Sequence, residues 1–160
     1  MVPMTPRPRT LLLAALALLA AGVLVEKLHV SETERVEAAW DDVRAAVEQE
    51  SLPALEDRLT ADFSWSGPRP VGSGERADVA ERFGAFWTAA ERISVAGRGS
   101  PEVTVAGSIA TVVAPTVVTF RVNGDQLSAW RVDPTLTFDR VGDRWVLARV
   151  EVTGLRPGVF

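Results

Sequence analysis

Four charges set at alternate positions hold the most chemistry in this chain. Arg131 and Asp133 lie in the run QLSAWRVDPTLTFDRV, and Arg149 and Glu151 in the run DRWVLARVEVTGL. If the two runs are paired strands, these side chains share one face. A carboxylate of raised pKa beside a guanidinium is then a general acid–base with an anchor for an anionic substrate. The same spacing also suits ordinary cross-strand ion pairs, each contributing roughly 0.2–1 kcal/mol. Register separates the two, because one residue of slip moves a strand's side-chain set to the other face. A two-residue turn at Gly142-Asp143 places Trp145, Leu147, Arg149 and Glu151 beside Phe138 and Leu136. A three-residue turn places Val146, Ala148, Val150 and Val152 there and leaves the charges beside Arg131 and Asp133.

The second candidate is apolar. Trp40, Phe63, Trp65, Phe83, Phe86, Trp87, Trp130, Phe138 and Trp145 have the composition of a pocket for a hydrophobic ligand, which is mostly apolar with a few polar anchors. A densely filled interior has the same composition. The stretch LTADFSWSG (residues 59–67) poses the choice locally, since Phe63 and Trp65 alternate with Ser64 and Ser66 before a Gly-Pro turn.

Several chemistries are excluded by what the chain lacks. It has no Cys, so there are no disulfides, thiolate metal sites or Cys nucleophiles. It has no Tyr, and its one histidine, His29, follows an apolar amino-terminal run and lies outside the expected domain. No metal site and no cofactor are implied. The net charge of -4, with no basic run interleaved with aromatics, argues against nucleic acid as a partner. Gly72-Ser73-Gly74 before a helical pattern invites a phosphate-loop interpretation, but no Lys-Ser/Thr follows and no buried strand pattern precedes it.

The elements that must position these residues follow from periodicity. Arg7 and Arg9 precede the apolar run Leu11–Val25, which falls on the border between the roughly 17–25 residues of a membrane-spanning helix and the about 7–15 of a signal peptide's apolar region. An uncleaved anchor is favoured over a cleaved signal, with residues 31–160 outside the cytoplasm in either case. Ser31 with Glu34 forms a capping-box pattern, and Val36, Ala39, Trp40, Val43, Ala46 and Val47 then recur at helical spacing. Pro53 suits the first turn of a second, short helix carrying Leu52, Leu55 and Leu59 on one side. Ser73 is the expected cap of a third, GERADVAERFGAFWTAAERI. From Ile93 the period changes to two, and the runs EVTVAG, IATVVAPTVVTFRV, QLSAWRVDPTLTFDRV and DRWVLARVEVTGL predict an antiparallel meander with turns at Gly107-Ser108, Asn123-Gly124-Asp125 and Gly142-Asp143. Pro115 and Pro134 each mark a bulge, bend or edge. The expected class is α+β, with a curved antiparallel sheet wrapped round three amino-terminal helices, in a domain spanning residues 31–160 after an anchor or signal segment over residues 1–30.

This order of elements resembles the nuclear transport factor 2-like superfamily, which includes ketosteroid-isomerase-like and polyketide-cyclase-like proteins. VEAAWDDVRAAVEQESLPALEDRLTADFSWSG, the third helix, and LTFDRVGDRWVLARVEV carry the resemblance over residues 31–156. It implies a cone-shaped sheet with a pocket, and a homodimer. In the ketosteroid-isomerase-like enzymes a Tyr on the first helix and an Asp ending the first strand do the chemistry, and the matching positions here are Val43 and Gly67. Neither side chain can move a proton or stabilise an oxyanion.

The expected function is therefore a membrane-tethered, extracytoplasmic binding or assembly module without catalysis, held through residues 11–25. Its layout is similar to that of inner-membrane assembly proteins of type IV secretion. Its partner is a hydrophobic small molecule or a membrane-complex protein. The alternative is a small lyase, isomerase or cyclase using Asp133 or Glu151 with Arg131 or Arg149.

Overall fold

Apolar side chains at helical spacing bind the first helix, α1 (Glu32–Glu48), to the domain. Its face of Val36, Ala39, Val43 and Ala46 is buried, with Trp40 and Val47 packed at the margin. The computed structural model describes residues 30–124 and 126–158. The apolar run Leu11–Val25, His29 and Asp125 lie outside the described residues, among which no helix is long and apolar enough to cross a membrane. Every element below belongs to the unit Glu32–Phe160.

The chain leaves α1 through Glu50, which has φ 54, while Glu50 N–H donates to Val47 O and Ser51 N–H to Ala46 O. This pair of bonds closes the helix end in a Schellman motif. Ser51 then caps α2 (Leu52–Glu56), its Oγ accepting from Ala54 N–H at 3.4 Å, with Pro53 in the first turn. Leu59, expected on this helix, instead begins β1 (Leu59–Ser66).

The third helix departs further from its sequence pattern. Ser73–Glu75 is a short strand, β2, that pairs with β1. A 3-10 turn (Arg76–Asp78) follows, and α3 runs only from Val79 to Ala89. Ser73 is thus a strand residue. The turn is held by Asp78 Oδ2, which accepts from Glu75 N–H at 2.9 Å. Gly74 has a packing role, because a Cβ there would come within 2.2 Å of the Trp65 ring lying across it. That contact accounts for Gly74, and Gly72 has φ 66, so each glycine that suggested a phosphate loop has a local structural reason.

The remaining strands are β3 (Glu91–Gly97), β4 (Glu102–Ala106), β5 (Ile109–Val113), β6 (Thr116–Val122), β7 (Gln126–Val141) and β8 (Arg144–Pro157). Among the described residues, eight strands form one curved, unclosed sheet ordered β2-β1-β8-β7-β5-β4, with β6 also on β7 and β3 beyond it. The sheet is mixed rather than antiparallel, since β1 and β8 run parallel.

Pro115 and Pro134 explain why it is not a plain meander. Ala114-Pro115 splits the expected run IATVVAPTVVTFRV into β5 and β6, and both pair with β7. Pro134 sits where β7 changes partner, between Val132 on Thr116 and Thr135 on Val113, with a bulge in its pairing with β8. A residue without an N–H is tolerated at such a gap in the ladder.

Polar side chains on α1 secure β3 at the end of the sheet. Glu48 Oε1 accepts from Val95 N–H at 2.6 Å, and Arg44 Nη1 donates to Val95 O at 3.3 Å. At the other end of α1, Trp145 Nε1 donates to Glu32 Oε2 at 3.0 Å, joining the helix start to the β7–β8 hairpin. Between α2 and β1, Arg76 donates to Leu59 O at 2.6 Å, Thr60 O at 2.9 Å and Glu56 O at 3.1 Å. Arg76→Ala leaves three carbonyls without this donor, so it is expected to cost about 2–3 kcal/mol, read as a lower urea midpoint with an unchanged slope.

Asp57 and Arg144 join α2 to β8 by a 2.8 Å hydrogen bond. That bond, then the charges of Arg144 and Arg58, hold the Asp57 carboxyl below its ordinary value of 3.8. A depressed folded-state pKa contributes stability above the unfolded value, and the contribution is lost as pH falls through the folded one. The melting-temperature gap between the native chain and Asp57→Asn is therefore expected at neutral pH and should close below about pH 4. A gap independent of pH would exclude ionisation of Asp57 as its cause.

Candidate functional site

Two bulges in the β7–β8 pairing decide which side chains face the interior. The turn is the two-residue one, with Gly142 at φ 61 and Val141 opposite Arg144, so Trp145 and Leu147 start on the buried face. The register then shifts between Thr137 and Phe138, leaving Ala148 as the extra residue. An extra residue inverts the alternation beyond it. Val150 and Val152 now face inward with Leu136, while Arg149 and Glu151 are exposed. The strand adopts one expected register on each side of the bulge.

The inward set bounds a cavity of about 750 Å3. One wall is the sheet, contributing Val118, Phe120, Trp130, Val132, Leu136, Val150, Val152 and Leu155. The same sheet adds Phe63 and Trp65 through β1, and the helices contribute Trp40, Val43 and Val47 of α1 and Arg82, Phe83, Ala85, Phe86 and Ala89 of α3. The α3 positions 82, 85, 86 and 89 follow helical spacing, and Arg82, Ala85 and Ala89 are also exposed, so this face forms an open rim. Phe86 reaches across to Phe120, ring centroids 5.5 Å apart and edge-on.

The expected aromatic set divides in two. Trp40, Phe63, Trp65, Phe83, Phe86 and Trp130 line the cavity. Phe138 is fully buried in the core, Trp145 is tied to Glu32, and Trp87 packs between the two apolar clusters; none of these three lines it. Phe120 belongs to the wall although it was not among the expected residues. The alternation Val118, Phe120, Val122 in TVVTFRV was its signal.

Polar lining is sparse. Apart from indole N–H groups, only Arg82 and Thr116 among the lining residues carry polar side chains, and Thr116 Oγ1 donates to Val132 O at 3.4 Å. The four candidate charges do not enter. Arg131 and Asp133 alternate with the inward Trp130, Val132 and Pro134, and so point to the outer face with Arg149 and Glu151. They are also out of step with one another. Arg131 lies opposite Arg156, Asp133 opposite Gly154, Arg149 opposite Thr137, and Glu151 opposite Thr135. Asp133 crosses Gly154 and meets Arg98 at 3.5 Å. The described residues contain no group of three or more His, Asp or Glu able to hold a metal ion.

No family profile matches the sequence, and no curated protein matches it. Solved structures do match. A superfamily protein from Salmonella enterica serovar Typhimurium described as nuclear transport factor 2-like aligns with TM-score 0.67 at 14% identity, over 76% of this chain and 89% of its own. The fold is nuclear transport factor 2-like. A proposed dehydratase of that family from Streptomyces avermitilis aligns with TM-score 0.67 at 18% identity, over 79% and 96%. The hexachlorocyclohexane dehydrochlorinase LinA-type3 from Novosphingobium barchaimii aligns with TM-score 0.63 at 12% identity, over 78% and 88%.

Within this nuclear transport factor 2-like fold, the two positions that the resemblance assigns to chemistry are now placed. Val43 lines the cavity as a plain apolar wall. A Cβ at Gly67 would come within 2.9 Å of both Val152 and Val71, so any side chain there displaces its neighbours.

Proposed function

We propose that this domain binds a lipophilic small molecule without transforming it. The carrying observation is the cavity of about 750 Å3 whose lining includes no carboxylate and no imidazole. That volume lies within the ~300–1,000 Å3 of small-molecule sites, and its composition matches theirs. General acid–base catalysis needs a titratable group within hydrogen-bond reach of the reacting atom. The alternative acid–base residues, Asp133 and Glu151 with Arg131 and Arg149, lie on the far face of the sheet, which favours binding over their use in catalysis. Some neighbours of this fold are named for dehydration or dehydrochlorination, so handling of a hydrophobic molecule is compatible with the scaffold.

Trp40, Trp65 and Trp130 line the cavity and supply the readout. Titration with 1-dodecanol is expected to shift tryptophan emission saturably, with matching heat by calorimetry. An unchanged emission and no heat would sink the proposal. The proposal keeps the tethered layout, with Arg7 and Arg9 inside and the domain beyond the membrane, on the strength of the run Leu11–Val25. Protease added to intact spheroplasts should then remove residues 31–160, and protection of that domain would contradict the orientation.

A further inference from the structure

We infer that the ligand is an amphiphile with an anionic head, read by Arg82 at the rim of the cavity; this rests on the lipophilic-binding proposal above. Arg82 is the only charged side chain among the lining residues. It has no ion pair or hydrogen bond with the described residues, unlike Arg35, Arg44, Arg58, Arg98, Arg140 and Arg144. Across the rim its guanidinium lies near Gly72, where an added Cβ would be 3.8 Å from Arg82 Nη2, so position 72 puts no side chain over it.

The two halves of this site sort a ligand by chemistry. An alkyl or ring body gains from leaving water only inside the apolar wall. A head that stays charged must remain at the rim, where water still reaches it and a guanidinium offers a planar fork matching a carboxylate or phosphate. A cationic head would meet Arg82 with no lining carboxylate to offset the repulsion. The combination therefore selects fatty-acid-like carboxylates or alkyl phosphates over neutral or cationic amphiphiles of equal length.

Dodecanoate, 1-dodecanol and dodecyltrimethylammonium, titrated at pH 8 below their aggregation limits, test this on the native chain and two variants. In the native chain dodecanoate should bind tightest and the cation weakest, and the preference for dodecanoate should shrink at high salt. Arg82→Gln should weaken dodecanoate about tenfold and leave dodecanol within about twofold, while Arg82→Lys keeps most of the preference. Arg82 is exposed on α3, so unchanged melting curves are expected to accompany these effects. Equal loss for acid and alcohol would make Arg82 a packing element and overturn the inference. Binding of all three probes without change in Arg82→Gln would overturn it while leaving the binding proposal intact. If no probe binds the native chain, both fall.

Discussion

Phe138→Ala is expected to destabilise the domain by about 3–5 kcal/mol, among the largest single effects in the chain. Phe138 is 0% exposed, opposite Leu147 on β8 and Ala110 on β5, within the cluster that includes Val36, Val112 and Leu136. Removing the ring from that position leaves a void lined by β-sheet residues whose backbone cannot collapse far, so both the transfer and the cavity terms are lost. For a domain of this size the melting temperature should fall by about 10–25 °C. The same change at Trp130 removes a side chain already facing open space, so its stability cost should be the smaller despite its larger volume. If the two variants melt alike, the division of the aromatics into core and wall is mistaken.

Filling the cavity gives the opposite pattern. Val132→Trp combined with Val150→Trp puts two indoles into the space from adjacent strands, and should weaken dodecanol binding more than about thirtyfold with stability within about 1 kcal/mol of native. Val132 and Val150 both line the cavity, so the added rings have room. Val112 provides the control. It is 0% exposed against the core, so Val112→Trp must overpack, at a cost of about 3 kcal/mol or more. Undiminished dodecanol binding in the double variant would place the ligand elsewhere.

Much of this architecture is legible in the chain because its cause is local. The stripe Val36, Ala39, Val43, Ala46 reads as a helix face since the spacing of apolar positions is itself the physical requirement. A turn at Gly142-Asp143 is legible for a similar reason, a glycine where φ must be positive, but its length of two residues rather than three shows only in the pairing of Val141 with Arg144. Pro134 announces a break in the ladder because it lacks an N–H. The third helix misled for an equally local reason. Ser73 and Gly74 look like a cap and a loop, but pairing with β1 and the Trp65 ring over Gly74 make them a strand.

The site lay beyond such reasoning at three points. Ala148 looks like any strand residue, and nothing near it signals that it bulges and exposes Arg149 and Glu151 while turning Val150 and Val152 inward. The parallel pairing of β1 with β8 joins segments distant in sequence, Leu59 with Leu147 and Ser66 with Glu151, and has no turn to announce it. Arg82 is one of several arginines on apolar-striped elements, and its place among the cavity's lining residues appears only once the chain is folded. The sequence alone determined the first helix and most of the strand pattern, the α+β class, the absence of thiol chemistry, and an aromatic supply sufficient for either a wall or a filling. Tertiary structure alone decided between those two, because free volume and side-chain direction are set by register and long-range packing, which a single bulged residue can invert without changing composition or period.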